Sequence, residues 1–111
     1  MRKLSLACAG LLLFLSTSVF AEEHAAEALK HANAAVTEGK AGHAPALVEH
    51  SKAAMEHALA GAIVTHGAQK NHLDEASKEL QEAIDHGNLG HADVATKHAQ
   101  AAVEHIKAGN Q

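Results

Sequence analysis

Histidine is the residue this chain has in excess, 11 in 111 residues. A neutral imidazole ligates zinc, copper, nickel and iron, and it titrates close to physiological pH. Ten of the eleven keep one register: His24, His31; His43, His50, His57; His72, His86; and His91, His98, His105. Within each group the step is seven residues, or fourteen where Glu79 fills the intermediate place. Only His66 falls outside. Seven residues are two turns of α-helix, so each group lines up on one helix face. Along a single helix that step rises about 10.5 Å, too far for two rings to share an ion comfortably. Chelation within one helix uses spacings of three or four, as in H-E-x-x-H. Ligands spaced by seven must therefore come from two helices.

Four helical stretches can supply them. Glu23 to Glu38 carries Ala25, Leu29, Ala32 and Val36 at spacings of 4, 3 and 4, with Gly39 as its stop. A second starts near Ala44 with Pro45 in its first turn, where a missing N–H is harmless. It carries Val48, Ser51, Met55 and Ala58, and ends between Ala60 and Gly67. Asn71 with Asp74 three residues on predicts the N-cap of a third helix, bearing Leu73, Ser77, Leu80 and Ile84 and ending before Gly87. The last, from about His91 to Ala108, bears Ala92, Thr96, Ala99, Val103 and Ile106. These spacings are helical, not the period of two of a strand. Links of four residues at 39–42 and 87–90 make helix neighbours antiparallel. A shift of 48 residues lays His24–Ala58 over His72–Ile106 with 14 identities in 35. The expected fold is all-α, an antiparallel up-down four-helix bundle built from a duplicated helical hairpin.

With the apolar seam at heptad positions a and d, every in-register histidine lies at c, beside the core. Position g alongside is Ala28, Ala35, Leu47, Ala54, Ala76, Ala83, Ala95 and Ala102, small enough for two helices to approach and bring flanking side chains together. In the first hairpin, residues whose numbers add to 81 stand at one level: Glu38 with His43, His31 with His50, His24 with His57. In the second the number is 177: His86 with His91, Glu79 with His98, His72 with His105. Each level offers two imidazoles, or one imidazole and one carboxylate. Glu27, Glu75 and Glu82 lie three or four residues from an in-register histidine on the same face and are further candidate ligands, as are Glu38, Glu79 and His66. Each of the three flanking carboxylates also reads as an ordinary solvated helix charge, and Met55 reads as core.

Composition narrows the rest. Met1-Arg2-Lys3, an uncharged apolar run from Leu4 to Leu15, and small residues Val19 and Ala21 before position 22 have the form of a secretory signal peptide at 1–21. The expected mature domain is 22–111. It has no aromatic residue and no cysteine, since Phe14, Phe20 and Cys8 all lie in the leader. Disulfides and thiolate metal sites are therefore absent. Base stacking has nothing to use, and 7 Lys against 13 Asp plus Glu repels phosphate, so no nucleic-acid partner is expected. No second apolar run follows the leader, so no stable membrane insertion is expected after cleavage. No phosphate loop is present, and neither remaining serine, Ser51 or Ser77, sits in a nucleophile motif. Fifteen Leu, Ile, Val and Met residues make a thin core for 90 residues, a size at which small scaffolds often use a metal or disulfide staple.

The pieces Gly42-His43-Ala44, Gly90-His91-Ala92-Asp93 and Ala102-Val103-Glu104-His105, with the heptad histidines, resemble the bacterial small metal-binding protein family over essentially the whole mature chain. The resemblance implies a monomeric, periplasmic, His-rich four-helix bundle that takes up several divalent ions, copper prominent among them, for storage, buffering or chaperoning. It implies as ligands His24, His31, His43, His50, His57, His72, His86, His91, His98 and His105. Two positions depart from uniformity: Glu79 interrupts the third row, and Glu38 stands where its counterpart is His86. Copper(II) leads the affinity order for such a site, with nickel, zinc, cobalt and iron as alternatives. An enzyme is not expected, because a catalytic metal site holds its ion in a shaped pocket with one open position. Haem would need a histidine aimed into an apolar pocket. The rival reading is a pH-responsive helical interaction module whose histidine rows gain charge in acid and loosen the bundle without a metal.

Overall fold

The computed structural model describes the backbone of residues 2–110 and the side chains of residues 19–110. Four α-helices follow one another: α1 Arg2–Lys40, α2 Ala44–Ile63, α3 Gly67–Asn88 and α4 Ala92–Gly109. Helix α1 packs on α2 and α4, α3 packs on α2 and α4, and α2 touches α4 briefly across the diagonal. This is the expected up-down four-helix bundle.

Alanine sets its width. All eight g positions, seven Ala and Leu47, are 0% exposed. Leu73, Leu80, Val103 and Ile106 fill the interior with them, and Leu29 and Met55 close its edge. Small side chains at the seam let the backbones approach, which brings the flanking c positions of two helices within reach of each other.

The hairpin turns are built alike. Gly42 and Gly90 have φ of +81° and +78°, a left-handed conformation in which a Cβ is disfavoured. His43 N–H donates to the Glu38 carbonyl and Gly42 N–H to that of Gly39; His91 and Gly90 repeat this on His86 and Gly87. This is the Schellman closure of a helix C-terminus. It folds residue 43 back over 38 and residue 91 back over 86, and so sets the top level of each hairpin.

Four boundaries differ from the sequence expectation. Gly39 and Gly87 do not end their helices; they lie inside the last turns of α1 and α3, and the links are the three residues 41–43 and 89–91. A Cβ at Gly39 would come within 2.6 Å of Leu47 Cδ1, and one at Gly87 within 2.5 Å of Val48 Cγ2, so these glycines serve close packing. Helix α3 starts at Gly67 with His66 as its N-cap, not at Asn71. The α2–α3 link is only 64–66, and buried Thr65 closes the end of α2 through a hydroxyl bond to the Gly61 carbonyl. Asn71 is then an exposed residue inside the helix, and Asp74 receives Lys70 Nζ at 2.8 Å. Finally, α1 begins far upstream of Glu23, at Arg2. The leader expectation falls mostly on residues 1–18, whose side chains lie outside the described residues. Among the described residues, no helix is long and apolar enough to cross a membrane.

Candidate metal centres

The c positions of α1 and α2 face each other along one groove, and those of α3 and α4 along another. In the first groove His43 Nδ1 meets Glu38 Oε2 at 2.9 Å. His31 and His50 have ring centroids 6.1 Å apart, and His24 and His57 bring their Nδ1 atoms to 3.2 Å. In the second, the His86 and His91 rings are 6.0 Å apart, His98 Nδ1 meets Glu79 Oε2 at 2.8 Å, and the His72 and His105 rings are 5.9 Å apart. All six levels inferred from the hairpin arithmetic are side-chain pairs. Eight of the ten histidines are half-buried; His43 and His91, beside the loops, are exposed.

A second set of contacts runs diagonally, and the sequence reading missed it. The His31 and His57 rings stack at 5.8 Å with planes 6° apart, and those of His86 and His98 at 5.4 Å, also at 6°. The His86–His98 diagonal is shorter than the His86–His91 level pair, and His31–His57 is shorter than His31–His50, though His24 and His57 at one level are closer still at 5.5 Å. Side-chain direction explains this. Each Cα–Cβ bond leans toward its helix N-terminus, so rings on α1 and α3 lean away from the hairpin loop and rings on α2 and α4 lean toward it. At one level the two leans are opposed, as in the wider His31–His50 and His86–His91 pairs. A ring on the first helix converges instead with the ring one heptad farther from the loop on the second. Adding that lean to the level arithmetic would have found both diagonals.

The carboxylate one turn back lands beside each diagonal. Glu27 Oε2 is 3.9 Å from His31 Nε2, and Glu82 Oε2 is 3.8 Å from His86 Nε2. Two three-donor clusters result, Glu27–His31–His57 and Glu82–His86–His98, each with its ligand atoms within 4.8 Å of one another. A divalent ion holding nitrogen and oxygen at about 2.0–2.2 Å needs only side-chain rotation to gather either set. Beside the first, Glu23, His24, Glu27 and His57 line an open groove of about 360 Å³. In the second, His86 Nδ1 is buried without a hydrogen-bond partner, a cost that a cation or water among the rings would remove. Imidazole with carboxylate is a donor set for borderline divalent transition metals.

Over residues 1–109 the chain matches the model of the small metal-binding protein family. It belongs to that family. Comparison with curated proteins gives no match. Membership and geometry agree that the chain binds metal ions, and the grooves are where its donors gather.

Other candidate ligands stand elsewhere. His66 is exposed at the start of α3, away from both grooves. Glu75 accepts Lys78 Nζ at 2.9 Å, and its carboxylate raises the Lys78 pKa through the hydrogen bond and its charge. Glu38 and Glu79 are level partners of His43 and His98 and belong to neither three-donor cluster.

Proposed function

We propose that the chain is a periplasmic reservoir for copper(II), exported by the leader at 1–21 and working as the 22–111 domain. It holds several ions on inter-helix histidine pairs, releases them on demand, and catalyses no reaction. The observation that carries this reading is the repetition of donors: six level pairs and two three-donor clusters over a buried alanine floor. A catalytic centre concentrates its groups around one position, whereas these grooves distribute half-buried donors along their length, which suits storage, buffering or chaperoning. Copper(II) is favoured because imidazole-rich sites without thiolates follow the ordinary divalent affinity order.

Titration calorimetry of the 22–111 chain with copper(II) tests the reading. Several ions per chain and a higher melting midpoint in copper are expected, because a ligand of the native state stabilises it. A flat calorimetric trace would overturn it. Metal analysis of protein recovered from its own compartment identifies the ion carried and checks the location.

A further inference from the structure

Glu79 interrupts the histidine row of α3, and as a carboxylate it could be a weaker substitute ligand. Its geometry gives it a different task. Glu79 Oε2 lies 2.8 Å from His98 Nδ1. A carboxylate only accepts, so the bond requires the proton on Nδ1. In the neutral ring that leaves the lone pair on Nε2. His98 is also the α4 member of the Glu82–His86–His98 cluster. An imidazole that gives one nitrogen to a carboxylate and keeps the other for a cation is the usual second layer of a metal site. That layer fixes the tautomer and ring orientation and raises ligand basicity.

We propose that Glu79 is the positioning residue of this cluster, and that it makes Glu82–His86–His98 the first centre to fill. The proposal rests on the metal-binding reading above. Two comparisons within the molecule set Glu79 apart. Glu38 holds His43 in the same way at 2.9 Å, but His43 lies beside the loop with its side chain 66% exposed and belongs to neither three-donor cluster. His98 and Glu79 are 30% and 31% exposed, so their bond is less diluted by water. In the other groove, the counterpart of His98 within the cluster is His57, whose Nδ1 faces the Nδ1 of His24 at 3.2 Å. Either ring can donate there, so neither tautomer is fixed. His24 is itself a competing ligand for an ion on His57. The α1–α2 cluster thus has an unfixed and contested histidine, and the α3–α4 cluster a fixed and committed one.

The test uses the 22–111 chain and the variants Glu79→Ala, Glu79→Gln and His98→Ala, with circular dichroism to show that each remains helical. Long-range proton–nitrogen spectra of the metal-free protein report which ring nitrogen carries the hydrogen. Wild-type His98 is expected in the Nδ1–H form. Glu79→Ala should shift it toward a mixture, and Glu79→Gln, which keeps an acceptor oxygen, should restore much of it. In copper(II) titrations against a competing chelator, Glu79→Ala should weaken the first ion by roughly 10- to 100-fold while the Glu82–His86–His98 centre still fills at higher copper. His98→Ala should abolish that centre. A first ion unchanged in Glu79→Ala while the total falls by one would make Glu79 a direct ligand and overturn the proposal. An unchanged tautomer, or an unchanged first ion and total, would overturn it as well while leaving metal binding intact. A wild type that takes up no ion would overturn both this proposal and the reading it rests on.

Discussion

The two hairpins share a sequence pattern but not the height at which it gathers donors. Each keeps one three-donor cluster of the same design: a glutamate, a histidine one turn on, and a histidine of the second helix one heptad beyond the level partner. The clusters sit at different heights. The repeat carries Glu27, His31 and His57 onto Glu75, Glu79 and His105, where Glu79 replaces the central histidine. In reverse it carries Glu82, His86 and His98 onto Ala34, Glu38 and His50, where both first-helix donors change character. The α3–α4 cluster is therefore one heptad, about 10.5 Å, nearer the loops than the α1–α2 cluster. One acidic replacement per hairpin is enough to place a site, because each diagonal needs a histidine at one particular first-helix position.

Proton competition separates the two kinds of level most strongly. An ordinary imidazole titrates near pH 6.5, and a proton on the ring nitrogen blocks the metal, so affinity falls as pH drops. A level with two imidazoles should lose affinity more steeply between about pH 7.5 and about pH 5 than a level with one. The Glu38–His43 level, with one imidazole, should lose less; His98 does not belong with it, because it coordinates together with His86. Copper titrations at several pH values in a Glu38→His variant would show it: the change should steepen the pH dependence. An unchanged slope would remove the distinction between levels.

His31 and His50 sharpen the comparison within one groove. They are partners at one level, so a ladder of isolated levels predicts equal effects from losing either. The diagonal predicts inequality, because His31 also stacks on His57 and meets Glu27. His31→Ala should weaken the first ion of the α1–α2 groove by more than about tenfold, while His50→Ala leaves that ion nearly unchanged. Equal losses would dissolve the diagonal site. The variants are best made on a His98→Ala background, where the α3–α4 cluster no longer dominates the first step.

The levels themselves were legible from seven-residue spacing, short links and the alanine stripe, because heptad register is a property of sequence. The diagonals were not, since the lean of Cα–Cβ bonds matters only once two helices are placed antiparallel. Asn71 misled for a similar reason. Asn with Asp three residues on is a good local start signal, but closure of α2 by Thr65 leaves a link so short that the N-cap of α3 falls five residues earlier, at His66. Gly39 and Gly87 resemble helix stops in sequence, and only the neighbouring hairpin shows that they are contact points. Gly39→Ala gains helix propensity of about 1 kcal/mol but forces a methyl into Leu47 and the branched Thr96. A net loss of roughly 1–2 kcal/mol is expected, read as a lower thermal midpoint of the metal-free protein. A rise in midpoint would mean that the two hairpins can part slightly at little cost.

The smallest effect falls on the pair of glutamates that the repeat makes equivalent. Glu27 stands next to His31 and joins the first cluster. Glu75 has Glu79 in the corresponding place and is engaged by Lys78. That pair is exposed and screened by water, so it adds little to folding. Glu75→Gln should therefore leave both copper affinity and stability within error. Glu27→Gln removes an anionic donor from a half-buried site and should weaken the α1–α2 ion several-fold. The comparison isolates the neighbour as the cause, because the two glutamates share a heptad position and a helix face. If Glu75→Gln lowered copper affinity as much as Glu27→Gln, the carboxylates would be acting through the general negative field of the helices and not as ligands. The design of both clusters would then reduce to stacked imidazoles alone.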